Sequence, residues 1–530
     1  MRIAEWVKKA AISVAVVLAA CGGGGGGGGG GFPVVALPAA GSPGTASVNL
    51  SGTASYDAVP NPAGALVYSA SASRPVRGAV VEIVNGASVI ATTTTDANGA
   101  YSVTVPSGTP IAVRVKAQLL QVGSGPAWDV SVRDNTQSDA IYSMETPVFS
   151  SGTAAIVRDV HAPSGWDGTA YSATRVAAPF SILDTVYTTQ TKVLSVAPMA
   201  IFPPLRLFWS VNNLPANGDP SLGQIGSTFF TAGDPSGRAI YVLGKADVDT
   251  DEYDASVIAH EWGHYYQSVF SRDDSPGGSH SLTDRLDRRV AFSEGWGNAW
   301  SGISLERSNY TDSAGPGQVQ GANLDLTAGV TSNPGWFREA SIHSILWKLN
   351  SQVGFKPIHD TLTGPFKSGV ALTSIHSFTA AFEAAAPGSA PALVSLLVGQ
   401  SISAATSDPF GNAETNNGGI ALALPMYRQA TVGGNTTACV SNLAGAGNKL
   451  GNFAYLRFNL PAAANHMITV AGPLASDPDV TVYSGHPIAQ SEGPGPTESA
   501  LVNLPAGTSV LAINDFNNAS ANTCFTVTIQ

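Results

Sequence analysis

The stretch that most constrains this chain is His260-Glu261-Trp262-Gly263-His264. Two imidazoles four residues apart lie one turn apart on the same face of a helix. At that spacing both reach one tetrahedral Zn²⁺, and Glu261 stands beside the metal as a general base. The flanks are predicted to supply the helix. Asp254 or Ser256 caps a segment in which Val257, Ile258, Trp262, Tyr265 and Val269 follow, with no proline until Pro276. With nine His in 530 residues, an accidental match is expected in roughly one such chain in a hundred. A zinc hydrolase then needs a third ligand.

Ser281-Leu282-Thr283-Asp284 is predicted to box the start of a second helix. Leu286, Val290, Glu294, Gly297, Asn298 and Ser301 fall along one of its faces. Glu294 stands amid Val290, Ala291, Phe292, Trp296 and Trp300. A carboxylate in that setting calls for a partner, and a metal supplies one. The residues after His264, Tyr265-Tyr266-Gln267-Ser268-Val269-Phe270, lack the Gly and His of the metzincin pattern.

Taken together, residues 254–301 resemble the gluzincins, the thermolysin-like clan of zinc metallopeptidases. The resemblance implies a zincin-like fold in which His260, His264 and Glu294 hold Zn²⁺ and Glu261 takes the proton of the attacking water. There are two departures. The 29 residues between His264 and Glu294 are more than the clan's pattern has, and the excess fits Arg272-Asp273-Asp274-Ser275-Pro276-Gly277-Gly278. Asn298 stands where the clan has an Asp that accepts a hydrogen bond from a ligand His. An amide oxygen can accept too, but without the charge that makes the ligand more basic. The resemblance also implies a Tyr or His outside the ligand set as donor to the developing oxyanion. The first candidate is His343, placed off the apolar face Ile342, Ile345, Leu346, Leu349 of a predicted helix. The second is His280, in the loop between the ligands. Arg338 is read as pairing with Glu339 or another acid, with substrate binding as its alternative.

The start of the chain reads as a targeting segment. Arg2, Lys8 and Lys9 precede an apolar run, Ala10 to Leu18, of about nine residues where a bilayer span needs roughly twenty. Leu18-Ala19-Ala20-Cys21 resembles a bacterial lipobox, which implies a signal peptide over 1–20 and lipidation of Cys21. Gly22 rather than Asp after that Cys favours the outer membrane. A Gly- and Pro-rich tether follows over 21–46. The two remaining cysteines, Cys439 and Cys524, are expected to form a disulfide, since an exported chain meets an oxidising compartment.

The fold class expected is multidomain, an α+β catalytic domain over 151–430 between all-β sandwiches over 47–150 and 431–530. In the first, alternating strands flank the turn Asp96-Ala97-Asn98-Gly99. That run, within 74–116, resembles the carboxypeptidase regulatory-like domain, an accessory module without catalytic residues. In the last, short strands such as Val480-Thr481-Val482-Tyr483 and Phe525-Thr526-Val527-Thr528-Ile529 recur at sandwich spacing. Between them, Phe180, Leu183, Val186 and Tyr187 repeat at helical spacing after Pro179. Five of the nine Trp fall between 262 and 347, which places the main core there.

A net charge of −11 with no basic run argues against nucleic acid as a partner. Asp247, Asp249 and Asp251 alternate as in Ca²⁺ loops, but the sixth-position Gly and twelfth-position Glu are missing. A solvated acidic loop leading into the helix N-terminus is the preferred reading there, with Ca²⁺ as the alternative. The whole reads as a lipid-anchored zinc metallopeptidase, a monomer acting on peptide or protein and facing the periplasm or the cell surface. The rival readings are a zinc amidase acting on cell-wall peptide, and a surface adhesin whose zinc site is vestigial or structural.

Overall fold

The computed structural model describes residues 46–530. The expected signal peptide, the tether up to residue 45 and Cys21 lie outside them. The described residues are mixed, with seven α-helices and several β-sheets. None of those helices is long and apolar enough to cross a membrane.

The first β region contains β1 (Ser47–Ala58), β2 (Ala79–Asn85), β3 (Ser88–Thr94), β4 (Ala100–Pro106), β5 (Pro110–Gln121) and β6 (Trp128–Asp134). The expected turn is present between β3 and β4, with the Gly99 N–H donating to the Asp96 carbonyl. Gly99 takes φ +76°, a conformation that suits glycine. β1 and β4 pair in one sheet. The other sheet does not stop at residue 150. β6 pairs in parallel with β7 (Leu205–Trp209), Leu205 opposite Val130. β8 (Phe229–Asp234) and β9 (Gly237–Val242) extend the order to β8-β9-β7-β6-β5-β2-β3. Helix α1 (Ala178–Leu194) packs on this sheet and is tied to the β region by Asp184, which accepts from the Tyr56 hydroxyl at 2.8 Å and pairs with Arg77. The boundary expected between 150 and 151 therefore runs through one continuous sheet. Residues such as Leu50, Val113, Leu207 and Trp262 share a single core. Alternation marked each strand but carried no record of which distant strand would pair with it.

Helices α2 (Ala255–Phe270), α3 (Arg288–Leu305), α4 (Glu339–Val353), α5 (Phe355–Thr363), α6 (Ile375–Ala385) and α7 (Pro391–Gly399) follow. Between α3 and α4 comes a short antiparallel pair, β10 (Asn309–Asp312) and β11 (Ala322–Asp325). Two start signals differ from expectation. Ser281–Asp284 forms a turn rather than a cap, and α3 begins after Asp287, whose side chain accepts from the Arg289 N–H. Asp254 precedes α2 but does not cap it. Its carboxylate accepts from Asn61 and from the Ser313 N–H and hydroxyl, because buried tertiary donors take it first.

The last β region has a core of its own, with Leu456, Val482, Leu511 and Phe525 at its centre. Its two sheets have five and four strands. The Tyr455 hydroxyl donates to Asp287, and the Arg288 guanidinium lies 4.1 Å from the Tyr455 ring centre, so this sandwich is docked on the start of α3. The expected Cys439–Cys524 disulfide is present and joins two neighbouring strands. It closes a loop with a sequence separation of 85. Replacing both cysteines by Ser is expected to destabilise this sandwich by about 2–4 kcal/mol in denaturant unfolding.

Candidate metal centre

Small residues let α2 and α3 approach closely enough to share ligands. A Cβ on Gly263 would meet the Trp300 ring at 3.1 Å, and one on Gly297 would meet the His260 ring at 2.7 to 2.9 Å. Large rings then lock the pair. Trp262 and Tyr266 both stack on Trp300 at 5.5 Å, and the Trp296 indole N–H donates to the Gly263 carbonyl at 3.0 Å. Gly297→Ala is expected to push the His260 ring from its place and weaken zinc binding more than tenfold with helix content unchanged, read by competition titration and circular dichroism.

His260, His264 and Glu294 come together as the resemblance implied. The two Nε2 atoms are 3.1 Å apart, and Glu294 Oε2 lies 3.3 Å from His260 Nε2 and 3.6 Å from His264 Nε2. Ligands of a tetrahedral ion bound at roughly 2.0–2.1 Å stand about 3.3 Å from one another. The three gaps bracket that value, so these residues fit Zn²⁺.

The outer partners aim both rings. His260 Nδ1 is 3.0 Å from Asn298 Oδ1. That oxygen can only accept, so Nδ1 carries the proton and the Nε2 lone pair faces the centre. His264 Nδ1 is 3.2 Å from Ser293 Oγ, whose hydroxyl donates to Asp273 Oδ2 at 2.8 Å. The carboxylate absent at position 298 thus serves the other histidine through one hydroxyl. Neither Ser293 nor Asp273 belongs to a motif, and only the fold of the inter-ligand loop brings them in.

Burial disfavours a charged His264, but the Glu294 carboxylate outweighs it and lifts its pKa to about 10. Burial would raise Glu294 as well, yet His264 and hydrogen bonds from its imidazole neighbours hold it well below the usual carboxylate range. An entering cation therefore competes with the proton that the Glu294 carboxylate favours on His264. Zinc affinity is expected to rise about tenfold per pH unit between pH 6 and 8, measured by competition with a chelator of known pH dependence.

Burial pushes Glu261 up, against the pull of both histidines. Its Oε2 accepts from the Phe230 N–H at 2.8 Å, so the carboxylate faces β8, the edge strand of the long sheet. Glu261, His264, Glu294, Phe229, Phe230 and His280 line a cavity of about 660 Å³. A neighbouring cavity of about 620 Å³ shares Phe230 and His264 and reaches Ser484 and His486 of the last sandwich.

The two candidate donors part company. His280 Nε2 lies 3.3 Å from Glu294 and 3.4 Å from Glu339, inside the cavity wall. His343 is fully buried in α4, with neither ring nitrogen hydrogen-bonded. Burial lowers its pKa to about 3, and its charged neighbour is Asp325 on β11, not a ligand. His343, placed by helical spacing off the apolar face of α4, is enclosed instead by the elements around that helix. Arg338 reaches the Leu282 carbonyl, and Glu339 faces His280. A residue without a signal in the sequence stands on the other side: the Tyr310 ring on β10 lies 6.0 Å from the His260 ring, edge to face.

No family model matches the sequence, and no curated protein matches it. Among solved structures, the pre-peptidase C-terminal domain of a collagenase from Bacillus anthracis is 17% identical over 20% of this chain and 94% of that one, with a TM-score of 0.16. PliG, a periplasmic inhibitor of g-type lysozyme from Aeromonas hydrophila, is 15% identical over 20% of this chain and 96% of that one, with a TM-score of 0.14. Nothing about the site follows from either.

Proposed function

We propose that this chain is a zinc-dependent metallopeptidase of the gluzincin kind, with a zincin-like catalytic region, exported and held at the outer membrane by a lipid on Cys21. One observation carries the reading. Three ligand atoms at tetrahedral spacing stand beside an unligated carboxylate, Glu261, and open on a cavity. A structural zinc site is closed by four protein ligands, whereas three ligands and an open side suit catalysis.

His260, His264 and Glu294 would hold Zn²⁺, which when bound supplies Lewis acidity to a water and to the substrate carbonyl. Glu261, held toward β8 by the Phe230 N–H at 2.8 Å, accepts the proton of the attacking water and hands it to the leaving amine. His280, which lines the cavity 3.3 Å from Glu294, is the donor assigned to the oxyanion, and the Tyr310 ring packs edge to face on His260. The β8 edge, turned toward Glu261, offers backbone partners to an extended substrate, which favours a peptide over a compact ligand. The purified soluble form, after metal analysis, is to be offered casein, a peptide library and cell-wall peptide. Stoichiometric zinc with cleavage of the first two is the expected result. Cleavage of cell-wall peptide alone would make it the amidase, and full zinc with no cleavage would favour the adhesin.

A further inference from the structure

A third cavity, of about 450 Å³, lies between the first β region, α1, the entry of α2 and the end of α3. Its charged lining is Arg74, Arg77, Arg307 and Asp184. Asp184 is fully used, since Oδ1 accepts from Arg77 Nε and Oδ2 from the Tyr56 hydroxyl. It offsets the charge of Arg77 and leaves two guanidinium charges over. Arg74 stands opposite Tyr56 on paired antiparallel strands, so both side chains leave the same face of the sheet. Arg74 is exposed, and its guanidinium has no ion pair among the described residues. Arg307, just past the end of α3, is half-buried. Its Nη2 donates to the hydroxyls of Ser256 and Thr311, while its Nε is buried without a partner. Burial lowers its pKa against the pull of Asp254, whose carboxylate is engaged by Asn61 and Ser313. Tyr253, only 5% exposed, lines the same cavity, and its hydroxyl is also without a partner.

We infer that Arg74, Arg77 and Arg307 form a binding site for a phosphate-type dianion, free or as the ester of a small organic group. A guanidinium drawn out of water calls for an anionic partner. Two charges left over match one dianion, whereas a carboxylate would answer only one of them. Guanidinium forks also suit such an oxyanion, because each presents parallel N–H donors to two of its oxygens. The cavity falls within the roughly 300–1,000 Å³ of small-molecule sites. Val59, Pro60 and Leu305 give it an apolar side for the organic group of an ester.

The occupant joins segments far apart in the chain. Arg74 and Arg77 belong to the first β region, and Asp184 to α1. Arg307 holds Ser256, in the first turn of α2, and Thr311 on β10. A dianion here therefore ties the first β region to the helix that carries both histidines. An anion of five heavy atoms binds no tighter than roughly micromolar. A Kd on the order of 10⁻⁴ M is expected, which at 10 mM anion multiplies the folded-to-unfolded ratio about 100-fold.

The test is titration calorimetry and thermal unfolding of the purified soluble chain at pH 8, its metal content determined beforehand. The probes are inorganic phosphate, glycerol 3-phosphate and, as a monoanion, acetate. Phosphate that binds at least tenfold tighter than acetate and raises the midpoint supports the site. Tighter binding of glycerol 3-phosphate then points to an ester as ligand, and equal binding to the free anion. No phosphate binding up to 10 mM, or acetate bound as tightly, overturns the site. Arg74→Gln and Arg307→Gln locate the anion, and each is expected to weaken phosphate at least tenfold with metal content kept. Arg74→Gln also relieves repulsion, so without phosphate its midpoint stays at or above the parent's. A midpoint lowered equally with and without phosphate would make Arg74 structural and overturn its assignment. Phosphate that binds both variants as tightly as the parent lies elsewhere, as on the metal centre, and overturns the site. Should Arg307→Gln fail to fold, the exposed Arg74→Gln decides alone. None of these readouts needs peptide cleavage, so this site and the peptidase reading fail separately.

Discussion

Glu261→Gln is expected to lower kcat for peptide cleavage by about 10³-fold while zinc stays stoichiometric. General bases contribute roughly 10²–10⁴-fold, and this one has no evident substitute. The nearest other carboxylates are committed: Glu294 lies against His260 and His264 as the proposed third ligand, Asp273 is bound to Ser293, and Glu339 is turned to His280. The substitution is also conservative in shape. A Gln oxygen can still accept from the Phe230 N–H, which leaves α2 and β8 in place. What goes is the capacity to take a proton. Zinc content by metal analysis and single-turnover cleavage of a library-derived peptide separate the two effects. A variant within threefold of the parent would remove Glu261 from the chemistry, whatever metal it holds.

The cluster of His260, His264 and Glu294 was legible because it lies within two helices and depends on spacing alone. A spacing of four from His260 to His264 fixes one face of α2. An isolated carboxylate among Val290, Phe292, Trp296 and Trp300 fixes the facing turn of α3. Asn298 was legible for the same reason, one turn beyond Glu294. The strands of both β regions were marked by alternation and the disulfide by the even pair of cysteines. What was not legible depends on contacts between segments far apart in the chain. Asp273 and Ser293 meet only because the inter-ligand loop folds back on α3. Tyr310 reaches His260 through a two-stranded hairpin with no motif. His343 illustrates the opposite error. Helical spacing put it off an apolar stripe, but a helix packed on several sides has no polar face to spare. The acidic loop failed in its second half: Asp247 is exposed, as its charge suggested, whereas Arg175, Asn61 and Ser313 enclose Glu252 and Asp254.

Glu294→Gln should do what Glu261→Gln does not, and lose the metal. The substitution keeps the side-chain volume but trades a full negative charge for a weak amide ligand. Disturbing an outer partner of a ligand typically costs 10–100-fold in affinity, so removing a charged ligand is expected to cost more than about 100-fold. The protein's own balance shifts too. Glu294 is the charge that keeps a proton on His264 against its burial, and with it gone the two imidazoles face each other at 3.1 Å with no anion between them. Breaking a buried ion pair on one side costs on the order of 3–5 kcal/mol, so the metal-free variant should also unfold at lower denaturant than the metal-free parent. Zinc content after dialysis and urea unfolding at pH 7 give the two readings. Loss of zinc with a lower midpoint assigns Glu294 as the third ligand. Stoichiometric zinc in this variant would send the search to Glu339, the next carboxylate along the His280 wall and 3.4 Å from that ring, and the double substitution would then decide which of the two acids holds the ion.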